Sequence, residues 1–181
     1  SHDYAAILKI YKQTALPPLR IVLTGNGRVA SGAAKNLTDM GIRQVNADSF
    51  LTENFDWPVF TQIHAENYAR PRDAEKSFDK KDFYKNGDQY VSSFQPYYRR
   101  ADIFINGIFY DKKAPAFFTA EEMRHADFRI RVIGDITCDI MPGASVPCTI
   151  RPSHIDDPVY GFDPQTGLET APYQPDSIDV M

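Results

Sequence analysis

The run Arg20-Ile21-Val22-Leu23-Thr24-Gly25-Asn26-Gly27-Arg28-Val29-Ala30-Ser31-Gly32 joins a short, β-branched apolar strand directly to a turn with two glycines one residue apart. Ala30 follows three positions after Gly27, and Ala33, Ala34, Lys35, Asn36 and Leu37 continue with helix-forming composition. Strand, glycine turn and helix in this order are the context of the G-x-G-x-x-A dinucleotide fingerprint. Gly25 permits a turn that a Cβ would obstruct, Gly27 lets the backbone approach a pyrophosphate, and Ala30 lets the helix lie against the sheet. The amides from Gly25 through Arg28 to Val29 then face the phosphates with the positive end of the helix. An acidic residue is expected about 20 positions further on, at the end of the next strand, to bind a ribose. Gln44-Val45-Asn46-Ala47-Asp48 supplies Asp48, with Ser49 beside it. A carboxylate there pairs with a 2′-hydroxyl and repels a 2′-phosphate, which predicts NAD; Arg28 pulls weakly towards NADP. The competing reading of the same residues is a glycine turn used only for packing.

Composition narrows the rest. At 181 residues and 43% hydrophobic, the chain predicts one soluble globular domain with a sizeable core. Formal net charge is −4, and basic residues are dispersed apart from pairs such as Lys80-Lys81 and Arg99-Arg100, which argues against nucleic acid as a partner. Cys138 and Cys148 fit a reducing, cytoplasmic setting, with neither a disulfide framework nor zinc spacing. No apolar run approaches the ~20 residues of a membrane helix. Ser1-His2-Asp3-Tyr4 is unlike a signal peptide, and the two ends together suggest a piece of a longer chain.

Along the chain, residues 4–13 predict a helix stopped by Pro17-Pro18, either bridging two domains or packed on a sheet edge. A strand at 20–24, a helix at 28–40 closed by Gly41 and a strand at 44–48 follow. Residues 49–95 read as an insert containing a short strand at Val59 to His64, and serve as a lid, an interface arm or a solvated excursion. Tyr90, Val91, Phe94, Tyr97 and Tyr98 recur at helical spacing over 88–99. Ala101 to Phe109 reads as a central strand buried on both faces. Thr119 and Glu122 form a capping-box pattern opening a helix. Further strands are expected at 130–136, 158–162 and 178–181. This alternation predicts an α/β, Rossmann-like, doubly wound and mostly parallel sheet over 19–181, with 1–18 as helix and linker. Its ligand crevice would gather Gly25–Arg28, Asp48, Gly107–Phe109 and Asp135–Asp139 at the carboxyl ends of the strands.

Two more segments carry a resemblance. Gly107 to Met123, with Lys113-Ala114-Pro115, Thr119 and Glu122-Met123, resembles the loop and helix after the fourth strand of alanine dehydrogenases and transhydrogenases. Asp135 to Asp139, followed by Gly143, resembles their next strand end. The chain is more similar still to lysine-forming saccharopine dehydrogenases and lysine–ketoglutarate reductases. The shared features are Gly27-Arg28 with Ser31-Gly32, Ala101-Asp102-Ile103-Phe104-Ile105-Asn106 and, more loosely, Ser153 to Pro158. The similarity spans roughly 19–163, outside the insert.

The resemblance implies the cofactor domain of an NAD(P)-dependent oxidoreductase. Hydride would pass to or from an imine of an amino acid and a 2-oxo acid, lysine with 2-oxoglutarate in the saccharopine case. It implies that most substrate and acid/base groups belong to another domain of the same chain, so that this piece alone is inactive. Gly107 and Ile108 would lie along the nicotinamide ribose, and Asp139 near the nicotinamide as a catalytic carboxylate. His64, His125 and His154 are acid/base candidates by residue type, though His125, at a helix C-terminus, reads better as a cap, His64 lies in the insert and His154 in a loop; Asp135 reads better as structural and Cys138 as a small buried residue. An alanine-dehydrogenase-like enzyme, a methyltransferase and a non-catalytic nucleotide-binding module remain alternatives.

Overall fold

The computed structural model describes residues 4–181 except Cys138, so the reading of that cysteine lies outside the described residues. In chain order the elements are α1 (Tyr4–Gln13), β1 (Arg20–Thr24), α2 (Arg28–Asp39), β2 (Arg43–Gln44), α3 (Ala47–Thr52) and β3 (Val59–Ile63). Then come α4 (Ala65–Tyr68), β4 (Ala69–Pro71), α5 (Lys80–Lys85), β5 (Tyr90–Ser92), α6 (Gln95–Tyr98) and β6 (Ile103–Asn106). β7 (Val132–Asp135), β8 (Tyr160–Asp163), β9 (Leu168–Thr170) and β10 (Ile178–Val180) complete the chain.

One eight-stranded sheet runs β2-β3-β1-β6-β7-β10-β8-β9. Strands β2 through β10 in that order are parallel, and β8 and β9 add an antiparallel hairpin at one edge. This is a Rossmann-like α/β fold, as the alternating pattern predicts. The neighbours of β1 decide where a ligand can lie, and here the structure corrects the sequence reading. The partner of β1 is β3, in register Arg20↔Val59 to Thr24↔Ile63. The expected 44–48 strand shrinks to β2, two exposed residues at the sheet margin, and residues from Ala47 onward turn into α3. Val59-Phe60-Thr61-Gln62-Ile63 is β-branched and aromatic and buries nearly every side chain, whereas Arg43-Gln44 has nothing apolar to bury. The stretch 49–95 therefore contributes a central strand rather than being an excursion throughout.

The sheet's two faces are unequal. On one, Val22, Val59, Ile63, Phe104 and Ile133 meet an aromatic layer from 65–98 and 117–130. Phe94 sits at its centre, with ring centroids 4.9 Å from Phe104 and 5.0 Å from Phe117. On the other face, Ile21 and Phe60 pack against Leu37 of α2, while Ile103, Ile105, Val132 and Met181 border an open apolar groove. Helical spacing over 88–99 proves misleading. Tyr90–Ser92 pair with Ala69–Pro71 as an antiparallel hairpin, and only Gln95–Tyr98 are helical. The Thr119 capping box forms, with Glu122 N donating to Thr119 Oγ1 at 3.1 Å and Thr119 N to Glu122 Oε2 at 2.8 Å. It opens only the 3-10 turn Glu122–Arg124, because His125 is already extended on the way to β7.

Candidate functional site

The carboxyl ends of β1, β6 and β7 are joined by a buried polar network. Thr24 Oγ1 donates to Asn106 Oδ1 at 2.9 Å, and Asn106 Nδ2 donates to Asp135 Oδ1 and Ser145 Oγ, each at 2.9 Å. Thr149 and Thr137 hydroxyls also donate to the Asp135 carboxylate, at 2.6 and 2.7 Å. Thr24, Asn106 and Asp135 are all buried. Satisfied buried networks of this kind fix geometry. Asp135 is thus a structural carboxylate, in keeping with the sequence reading.

The glycine turn stands on this floor. Gly25 N donates to Ile63 O at 3.0 Å, Gln62 Nε2 to Gly25 O at 2.8 Å, and Gly107 N to Thr24 O at 3.2 Å, so β3 and β6 clamp it on both sides. Gly25 has φ +104°, and a Cβ there would lie 2.5 Å from Gly107 O. Its glycine is required by the fold. Gly107 is equally a packing residue, since a Cβ would press on Thr24 O at 3.1 Å and Ala30 Cα at 3.3 Å. The room it provides is taken by the protein's own α2, not left for a ribose.

Gly27 is different. Its backbone is extended (φ −81°, ψ −176°), which any residue adopts, and a Cβ there would meet nothing within 4 Å. It caps α2 with no side-chain acceptor, and the first turn of that twelve-residue helix carries no acid. The first amides of α2 are left for an external acceptor.

Gly25, Asn26 and Gly27 line a cleft of about 180 Å³ together with His64, Ala65 and Glu66. Its remaining walls are Tyr68, Lys80 and Tyr84 from the insert and Gly107, Ile108 and Phe109 after β6. His64 opens α4 at the cleft wall, its backbone N–H donating to Asn67 Oδ1 at 2.9 Å. An open glycine and helix amides without a side-chain cap fit a phosphate-bearing cofactor.

Of the residues expected from sequence, Gly25, Gly27, Gly107 and Ile108 come together in this cleft. Arg28 and Val29 open α2 beside it, with Val29 half exposed, but do not line it. Asp48 and Ser49 do not reach it. Both lie in the first turn of α3, where Asn46 Oδ1 accepts from Ser49 N at 2.8 Å, beyond the marginal β2. The acid following the strand next to β1 is Glu66. Asp139 lies on the loop after β7, outside the cleft, close enough to Tyr110 to act on its phenol. Burial first, then Asp139 and Asp111, push that phenol above its usual value. His125 caps the 3-10 turn and His154 is exposed in a loop, both away from the cleft. Sequence reasoning places Phe109 at the crevice and weighs His64 only as a lone histidine of the insert; it missed Glu66, Tyr68, Lys80 and Tyr84. The signal was the strong strand pattern of 59–63, which places its trailing residues next to the glycine turn.

Among the described residues, no helix is long and apolar enough to cross a membrane, and no cluster of His, Cys, Asp and Glu could hold a metal ion. No family model matches the chain. The chain is 25% identical to an alpha-aminoadipic semialdehyde synthase of Arabidopsis thaliana over 189 aligned residues, which cover 88% of this chain. It spans 17% of the length of that protein, to which it is distantly similar.

Proposed function

We propose that this chain is the dinucleotide-binding part of a saccharopine-dehydrogenase-like oxidoreductase. Gly27 carries the reading: nothing in the protein's conformation or packing requires a glycine there, and a phosphate approaching the α2 amides does. The distant similarity to an alpha-aminoadipic semialdehyde synthase, and the Ala101–Asn106 and Asp135–Asp139 motifs, support the family. When bound, the nicotinamide supplies the hydride chemistry. The chain's own residues hold and orient. The amides of Gly27 to Val29 bind the diphosphate, and Lys80 offsets its charge. Glu66 takes the ribose role first assigned to Asp48, and a carboxylate at that position favours NAD over NADP. Asp139 accepts a hydrogen bond from a substrate amine or the nicotinamide ribose at the rim. The amino acid and 2-oxo acid, lysine and 2-oxoglutarate in the saccharopine case, are held by another part of the protein.

Calorimetric titration with NADH, NADPH and S-adenosylmethionine tests this. Tight binding of NADH, weaker binding of NADPH, and a gain for NADPH in Glu66→Gln are expected. Binding of S-adenosylmethionine alone would replace the reading with a methyltransferase, which the reversed strand β8 near the sheet edge favours.

A further inference from the structure

At the amino ends of β7 and β10, the opposite edge of the sheet from the glycine turn, is a cavity of about 650 Å³. The four residues of β7, about 13 Å of strand, separate it from the polar floor beneath the glycine turn. A ligand here lies apart from anything held by the α2 amides. Its two walls carry opposite charge. Arg124, His125 and Arg131 line it from the segment leading into β7, and Asp163 and Asp176 from the β8–β9 hairpin and the loop before β10. Met123, Phe128 and Pro164, all buried, supply the apolar part of the lining.

These charges do not satisfy one another. Among the described residues, none of Arg124, Arg131, Asp163 and Asp176 is in an ion pair. The charged residues beside them are paired, Arg99 with Asp127 at 2.6 Å and Arg129 with Asp102 at 2.9 Å. The acidic wall is held in place. Thr166 Oγ1 and Gln165 N donate to the Asp163 carboxylate at 2.7 and 2.8 Å, and Ser177 Oγ and N donate to Gln174 O at 3.1 and 3.2 Å, which fixes the loop around Asp176. Cations and carboxylates thus face one gap without closing it. A simple anion entering it would satisfy the arginines and be repelled by the acids, and a simple cation would meet the reverse. A molecule with one end of each sign satisfies both walls. The volume lies within the ~300–1,000 Å³ of small-molecule sites.

We propose that this cavity binds a free α-amino acid with an apolar side chain, its carboxylate on the Arg124–Arg131 wall, its ammonium on Asp176 and its side chain over Met123 and Phe128. A guanidinium suits the first role because its N–H groups donate in pairs to the two oxygens of a carboxylate. Asp176 suits the second because, unlike Asp163, its carboxylate is not engaged by its own turn. The site is independent of the dinucleotide reading and stands or falls without it.

Splitting the ligand's two charges tests this. The full chain, isotope-labelled for amide NMR, is titrated with L-leucine, with isocaproate, which lacks only the amine, and with isoamylamine, which lacks only the carboxylate. Leucine should shift the amides of 124–131 and 163–177 and leave Gly25 to Gly27 unmoved. It should bind at least ~10-fold tighter than either half, the scale of one charge-assisted hydrogen bond. Arg131→Gln should weaken leucine and isocaproate and spare isoamylamine. Asp176→Asn should weaken leucine and isoamylamine and spare isocaproate. Both side chains are exposed, so neither variant disturbs the core. No leucine shifts in this region, a half-ligand that binds as tightly as leucine, or losses that do not follow the charge removed would each overturn the assignment.

Discussion

Gly27→Ser tests whether the glycine turn serves a ligand or only the fold. The backbone at this position is extended and the site of the missing Cβ is open, so a serine enters without strain or contact. Serine is also a better helix cap than glycine, by a few tenths of a kcal/mol. Losing glycine further restricts the unfolded chain, worth about 0.4–1 kcal/mol. Stability should therefore rise by roughly 0.5–1 kcal/mol, a Tm increase of ~1–4 °C for a domain of this size. Binding should move the other way. The side chain fills the approach to the α2 amides, and each charge-assisted hydrogen bond lost is worth about 1.5–3 kcal/mol. Two such losses weaken NADH by at least ~100-fold, at 1.4 kcal/mol per tenfold. Gly25→Ala is the structural counterpart. With φ +104° and a Cβ 2.5 Å from Gly107 O, it combines a left-handed alanine with a clash. The expected cost is about 2–5 kcal/mol. Thermal melts and calorimetry on the two variants decide the matter. A more stable Gly27→Ser that binds NADH as tightly as wild type refutes the argument, and so does a Gly27→Ser melting more than ~5 °C lower, which would make this glycine structural.

Phe94→Ala removes the ring that contacts Phe104, Phe117 and Phe118, and should cost about 3–5 kcal/mol in urea unfolding, among the larger losses available to this core. Burial first, and then the nearby Asp135, push the Cys148 thiol far above its usual value, so iodoacetamide at pH 8 should leave Cys148 unmodified in the native protein and modify it in urea, as read by peptide mapping. Asp163 accepts from the Thr166 hydroxyl at 2.7 Å and from Gln165 N at 2.8 Å, and these bonds hold its carboxyl below the ordinary value. The lowered folded value means stabilisation is present above the unfolded pKa of about 4 and lost as pH falls through the folded one. Asp163→Asn should accordingly flatten the decline of Tm on the acid side of about pH 4 while the wild type keeps falling. An unchanged acid limb would count against that assignment.

What could be read in the sequence divides along a physical line. β1, the glycine turn, α2 and α1 are fixed by local chemistry, namely a β-branched run, two glycines and a small residue at helical distance, and they lie where the pattern places them. The neighbour of β1 is not local information. A strand beginning well after α2, at Val59, could lie inside or outside the short β2, and only burial of Val59, Phe60 and Ile63 against the rest of the sheet settles it. The acid at the expected distance is Asp48, on α3, whereas the chain takes a longer route and brings Glu66 to the cleft. Tyr90 to Tyr98 failed for a related reason. Aromatic residues at helical spacing also suit a hairpin that packs one face, and pairing with Ala69–Pro71 outweighs the periodicity. Glu66, Lys80 and Tyr84 carry no motif at all; they join Phe109 in one cleft only after the insert folds back over the turn.

The site joins a stiff floor to an exposed rim. Thr24, Asn106 and Asp135 lock three strand ends through satisfied, buried hydrogen bonds, and their neighbours Gly25 and Gly107 are packed to contact. Such a floor needs no rearrangement to present the α2 amides, so the cost of ordering is met on folding and not on binding. Tyr84, Phe109 and Lys80 have no comparable ties, and their positions can respond to what enters. On the dinucleotide reading proposed above, discrimination between cofactors would belong to Glu66 and the rim, and affinity for the diphosphate to the floor. Replacing a rim residue should change which ligand binds more than whether one binds, and replacing Asn106 should weaken every dinucleotide alike.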